Sequence, residues 1–203
     1  MNTDSEKPGS GTAGNSARRR AEENSKNLDN GKSWKKGAIG EEYAGVVIES
    51  LCTEYGFKFL HDRKIPGSSA NIDHILITNR GIFVIDTKNY EGAVRVKESG
   101  SLLTPLTETL FVGNRNQTKL VLGVKKQVEL VVNATSQMSF KIPVFGVLAF
   151  YNANWPIFFK PKKVDGVLIN SKGIQAAILE FPVLIQIDTD AVYTRLEKTF
   201  LPK

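Results

Sequence analysis

At 203 residues the chain has room for one ordinary domain with a sizeable core plus a tail, and a second independent core would be cramped. Apolar residues make up 41% and charged ones 24%, too apolar for a wholly disordered chain, while a formal charge of +6 points to a polyanionic partner such as nucleic acid. One cysteine, Cys52, excludes an internal disulfide, and with two histidines beside it a Cys/His zinc site is implausible; no apolar run reaches ~18 residues and Met1 leads into polar sequence, so a cytoplasmic protein that neither spans nor binds a membrane is expected.

Residues 1–33 are rich in Gly, Ser, Asn, Lys and Glu and almost devoid of large apolar side chains, so they read as a disordered tail before a folded domain over 34–203. The "ARRRA" cluster in this tail can touch phosphates but reads first as solvated charge. Over 40–55 the apolar positions Tyr43, Val46, Val47 and Leu51 follow helical spacing, with Glu41 in the first turn and Gly56 as the stop. "FKFLHDRKI" reads as a strand, "PGSSA" as a loop, and "NIDHILIT", "NRG" and "IFVIDTK" as two antiparallel strands joined by a tight turn. "AVRV" and "SLLT" extend the meander.

Over 115–134 a stripe of Leu120, Val121, Val124, Val128 and Val131 predicts an amphipathic helix. "VFGVLAF" is apolar throughout, as in a strand covered on both faces, and "VDGVLIN" repeats it on a smaller scale. "SKGIQAAILE" and "TDAVYTRLEKTFL" read as closing helices, the second capped by Thr189 or Asp190. The order predicts an α/β domain with a central mixed β-sheet flanked by helices.

Three charges interrupt the two apolar runs at 71–88. Strand alternation puts Asp86 and Lys88 on one side and Thr87 on the other, and a turn at Asn79, Arg80 and Gly81 brings Asp73 to the level of Asp86. Asp-x-Lys alone is common on solvated strand faces, but here both strands look covered, and an unpartnered buried charge is costly. Two converging carboxylates ask for a proton or a cation, and all-oxygen donors favour Mg²⁺ or Mn²⁺. A lysine beside them can orient an attacking water or stabilise charge on phosphorus, which suits phosphodiester hydrolysis.

"GAIGEEYAGVVIESL" followed by "NIDHILITNRGIFVIDTKNYEG" resembles the nuclease-related (NERD) domain, a branch of the PD-(D/E)xK nuclease superfamily. The resemblance covers 37–97 closely: Gly-x-x-Gly-Glu opening a helix, Ile-Asp-His, then Gly-Ile-Phe-Val-Ile-Asp-x-Lys and a following Gly. It implies a restriction-endonuclease-like core in which Asp73 and Asp86 bind the divalent metal, with the Thr87 carbonyl as a third ligand, and Lys88 assists the nucleophilic water. Glu41 would reach the same centre, although a Glu in a first helical turn also simply complements the helix dipole. The "NRNQ" at 114–117 lacks the family's proline; it suggests Gln117 for a nucleic-acid contact, with Gln127 as a rival.

His74, on the face opposite Asp73, reads as packing or hydrogen bonding before catalytic base. "NANWPIFFKPKK" offers Trp155 with Lys160, Lys162 and Lys163 as a stacking-and-phosphate surface, against the plainer reading of core aromatics and solvated lysines. The expectation is therefore a metal-dependent nuclease acting on DNA in preference to RNA. The alternative is a catalytically silent nucleic-acid-binding module of the same fold in a plasmid, mobile-element or DNA-repair assembly.

Overall fold

A computed structural model describes residues 13, 28–101, 104–155, 162–170, 173–184 and 187–203, with side chains left aside at 28–36, 104 and 162. Helix α1 spans Leu28–Tyr55, starting well before position 40, so residues 28–33 of the expected tail belong to it; of the remaining tail only Ala13 is described, packed over Gly45. Gly56, at φ 68°, ends the helix as the sequence implied. Strands β1 (Lys58–Lys64), β2 (Asn71–Thr78) and β3 (Gly81–Lys88) follow as an antiparallel meander. Next come β4 (Gly92–Ser101), β5 (Thr104–Val112), β6 (Arg115–Asn116), α2 (Thr118–Thr135), β7 (Val144–Phe150) and β8 (Ala153–Asn154). The chain closes with β9 (Lys162–Val164), β10 (Val167–Asn170), α3 (Ile174–Leu179) and α4 (Thr189–Thr199).

Six strands form one sheet in the order β1-β2-β3-β7-β10-β9, with β7 parallel to β3 and to β10 and the other pairs antiparallel. This is the mixed sheet the element order predicts. Strand alternation divides its apolar residues between two helical layers. Leu76, Phe83, Ile85 and Val147 pack under Ile48 and Leu51 of α1 and Ile174 and Ile178 of α3. Ile75, Ile77, Ile82 and Val84 pack under Val131 and Ala134 of α2 and Val192 and Leu196 of α4. Burial on both faces explains why β2 and β3 are almost continuously apolar.

Several elements differ from the sequence reading. In α1 the inward residues are Ala38, Ala44, Ile48 and Leu51, whereas Tyr43 and Val46 are exposed. "VDGVLIN" is a hairpin, not one strand, folded at Asp165 and Gly166, both with left-handed φ. The cap of α4 is Asp188, whose side chain accepts the N–H groups of Asp190 and Ala191. Strands β4 and β5 leave the main sheet and pair with β6 and β8 in a second sheet of order β6-β5-β4-β8. Leu102 and Leu103 of the expected "SLLT" strand lie outside the described residues. No described helix is long and apolar enough to cross a membrane.

Candidate functional site

The β2–β3 hairpin sets the site. Thr78 pairs with Gly81 and His74 with Ile85, and one step further along this register Asp73 faces Asp86. Both carboxylates therefore leave the same face of the sheet at adjacent strands. Each is buried, with side chains about 10% exposed, and Lys88, two residues beyond Asp86, shares that face.

Local hydrogen bonds fix the group. Asp73 Oδ2 accepts the backbone N–H of Thr87 at 3.1 Å, and Asn71 Nδ2 donates to Asp73 Oδ1 at 3.3 Å and to Asp62 Oδ1 at 2.9 Å. The Lys88 ammonium is in contact with Asp86 Oδ1, lies 3.8 Å from Asp73 Oδ2 and donates to the Thr87 carbonyl at 3.2 Å. Lysine thus sits among the three groups expected to surround a metal. Glu41 comes from α1 towards the same cluster, and its Oε2 is buried without a hydrogen-bond partner.

Electrostatics tie these residues together. Burial chiefly, then the charge of Asp73, pushes the Glu41 carboxyl up to about 9. Burial is also the largest influence on Asp73; Lys88 opposes it and Asp86 adds to it, leaving that carboxyl at about 7. For Lys88 burial disfavours the charge, but Asp86, Asp73 and Glu41 outweigh it and hold the ammonium above its usual range. The cluster is an excess of carboxylates around one cation. Such a site can take up a proton or a second positive charge.

The donor set fits a hard divalent ion in its chemistry: carboxylate oxygens, the Thr87 carbonyl that now accepts from the Lys88 ammonium, and one buried carboxyl oxygen at Glu41 with no hydrogen-bond partner. As the side chains stand, no three Asp, Glu, His or Cys residues among those described are grouped closely enough to enclose an ion. The Lys88 ammonium fills the space between Asp86 and Asp73.

His74 points to the other face. Its Nδ1 meets His61 Nδ1 at 2.9 Å, so one ring donates to the other, and His61 Nε2 lies 3.4 Å from Glu49 Oε1. Burial, then His61 and Lys88, pulls His74 well below the usual imidazole range and keeps it neutral. Hydrogen bonding and packing account for it.

The expected nucleic-acid contacts separate. Gln117 precedes α2; its side chain is buried, with Oε1 unpartnered, and its N–H donates to the Leu110 carbonyl. Gln127 lies inside α2 and also has a buried Oε1 without a partner. Lys160 lies outside the described residues, and of Lys162 the backbone alone is described, at the start of β9. Lys163 is an exposed residue of β9. The cross-strand row Lys163, Leu168, Val147, Ile85 puts it on the face opposite Asp86, and its ammonium lies 5.6 Å from the centre of the Phe181 ring. The structure does not bring it to the acidic cluster.

Two residues near the centre escaped the sequence reading. Asp62 is buried in β1 at φ 49°, and Asn71 opens β2 and holds both aspartates. A polar "HDR" inside an apolar strand and an Asn two residues before Asp73 were the available signals.

A family model described as "Nuclease-related domain" matches residues 36–151, more than half of the chain. An uncharacterized protein of Bacillus anthracis is 33% identical over 72 residues, and the match covers 34% of this chain and 34% of that protein. No solved structure matches the chain.

Proposed function

The chain belongs to the nuclease-related domain family, and from that premise we propose that it is a metal-dependent nuclease that hydrolyses the phosphodiester bonds of DNA in preference to RNA. The observation that carries the reading is the meeting of Asp73 and Asp86, from neighbouring strands, around Lys88, with Glu41 facing them from α1. Three carboxyl groups around one lysine cannot all ionise in a folded interior, so Glu41 and Asp73 retain protons until a second positive charge joins the cluster.

Asp73, Asp86 and the Thr87 carbonyl would hold Mg²⁺ or Mn²⁺, with Glu41 supporting them directly or through water. When bound, such an ion acidifies a coordinated water and neutralises charge on the phosphate. Lys88 has two assignments in this scheme. Before loading, its ammonium compensates Asp86 and Asp73; once they are otherwise neutralised, it is free to orient the attacking water or to donate to the developing oxyanion on phosphorus. The hydrogen bond from the Thr87 N–H keeps one oxygen of Asp73 aimed at the centre throughout. Hydrolysis at phosphorus needs no redox partner and no further cofactor.

The test is incubation of the purified chain with supercoiled plasmid, single-stranded DNA and RNA in Mg²⁺, Mn²⁺ or EDTA, beside Asp86→Ala and Lys88→Ala. Cleavage in Mg²⁺ or Mn²⁺ that disappears in EDTA and in both variants is the expected result. Cutting that survives in EDTA or in either variant would falsify the mechanism. Binding without cutting under every condition would instead favour a silent nucleic-acid-binding module.

A further inference from the structure

We infer that the β4–β5 ribbon carries a DNA-backbone contact, with Arg95 and Lys97 as the phosphate-binding residues; this deepens the nuclease reading and rests on it. The ribbon springs from the end of β3 that bears Lys88, since Gly92 follows Lys88 by four residues. Its root is fastened there: Gly92 and Ala93 pair with Ala153 and Asn154 of β8, the Gly113 N–H donates to the Ala93 carbonyl at 2.9 Å, and Asn152 Nδ2 donates to Asn89 Oδ1 at 2.6 Å.

Register sorts the ribbon's side chains into two unlike faces. On one, Val94 and Val96 stand opposite Val112 and Leu110, and the next pair out is Glu98 with Glu108. The inner part of this face is core: Val94, Leu110 and Val112 are buried against Val121, Val124 and Phe150. Its Glu108 is engaged with the body, accepting the Asp165 N–H at 2.9 Å. The other face therefore points away from the body. It carries Arg95 opposite Phe111, Lys97 opposite Thr109, and Ser99 opposite Thr107, with Asn116 of β6 beside Phe111.

That outward face has two cations and no carboxylate, whereas both acidic residues of the paired segment lie on the inward side. Arg95 and Lys97 are exposed, and among the described residues neither is paired with a carboxylate. Their positions are set by the ribbon itself. Arg95 Nη2 donates to the Gly113 carbonyl at 2.5 Å, and the Lys97 ammonium lies 5.1 Å from the centre of the Phe111 ring. A guanidinium so held keeps its other N–H groups for an incoming acceptor.

The occupant that fits is a polyanion with evenly spaced charges. Arg95 follows Lys88 by seven positions, which places the two within about 24 Å by chain length, or roughly seven nucleotides along a strand of duplex DNA. A duplex cut at the acidic centre would thus still lie within reach of the ribbon.

The experiment measures binding of the full chain to a fluorescent DNA duplex in EDTA over a salt series, for wild type, for Arg95→Gln/Lys97→Gln, for Arg95→Lys/Lys97→Arg, and for Lys126→Gln/Lys198→Gln as an equal charge change elsewhere. Circular dichroism checks that each is folded. The ribbon Gln pair should bind about tenfold or more weakly, with the log–log salt slope reduced by about 1.8, as expected for two lost phosphate contacts. The charge-keeping pair and the distant pair should stay near wild type. Equal affinity and slope in wild type and the ribbon Gln pair would overturn the ribbon assignment and leave the nuclease reading standing. A wild type that binds through the ribbon but never cuts removes cleavage alone, and a wild type that neither binds nor cuts overturns both.

Discussion

Asp73 Oδ2 accepts the backbone N–H of Thr87 at 3.1 Å, so a carboxylate of one strand is tethered between Asp86 and Lys88 of the next. The bond fixes the carboxylate's aim, and burial works against its charge. Asp73→Asn keeps an oxygen acceptor for Thr87 while removing the charge. Its folded pKa, about 7, lies above the unfolded value, so the stability linked to Asp73 is complete at low pH and is lost as pH rises through 7. At pH 8 in EDTA the variant should therefore unfold at a higher temperature than wild type, while metal-dependent cleavage falls on the order of a thousandfold. A lower melting temperature at pH 8 would contradict the burial argument.

Lys88 contacts Asp86 and approaches Asp73 within 3.8 Å, where it competes with any divalent ion. Lys88→Met removes the competitor and leaves the carboxylates uncompensated. The metal-free variant should lose about 3–5 kcal/mol of stability, the usual cost of breaking a buried pair. Calorimetric titration with Mn²⁺ should show tighter binding than wild type, alongside loss of cleavage. Weaker Mn²⁺ binding would mean that the lysine helps to hold the ion.

The β2–β3 hairpin was legible because two physical signals agree: apolar runs of strand length and a turn whose position fixes which residues face each other. That register is what made Asp73 and Asp86 converge on paper. The inward face of α1 was read in part: Leu51 is buried and Val47 packs on the core, but counting large side chains overlooked Ala38 and Ala44, which let the helix approach the sheet, while Val46, 66% exposed, does not pack. The β4–β5 ribbon was largely missed, since Arg95, Lys97, Glu98 and Ser99 give its outer half little apolar signal and its pairing holds through the backbone. Asp62 and Asn71 carried only weak signals, because their placement depends on β1 pairing with β2 and on a left-handed Asp62, neither of which composition reports.

Register at the hairpin depends on Gly81. It sits at φ 132°, and a Cβ there would lie 2.7 Å from the Pro143 carbonyl and 2.9 Å from the Phe145 ring. Gly81→Ala should therefore destabilise the fold by about 1–3 kcal/mol in urea unfolding. Cleavage per folded molecule should fall too, because Asp73 and Asp86 are aligned by this turn. An unchanged midpoint would show that the turn relaxes freely.

Proton uptake by the cluster gives a final prediction. Glu41 and Asp73, raised to about 9 and about 7 chiefly by burial, both hold protons in the metal-free fold at pH values where they would be ionised in the unfolded chain. Stability linked to them is thus greatest below their unfolded values near 4 and declines as pH rises through 7 and then 9. Divalent-ion binding must displace those protons, so Mn²⁺ affinity should climb between pH 6 and 9, by up to about tenfold per pH unit for each proton displaced. Titration calorimetry in buffers of different ionisation enthalpy would count the protons released. In Glu41→Gln the rise should level off above pH 7, where Asp73 is already ionised. A wild-type affinity that stays flat from pH 6 to 9 would rule out proton displacement from these carboxyls.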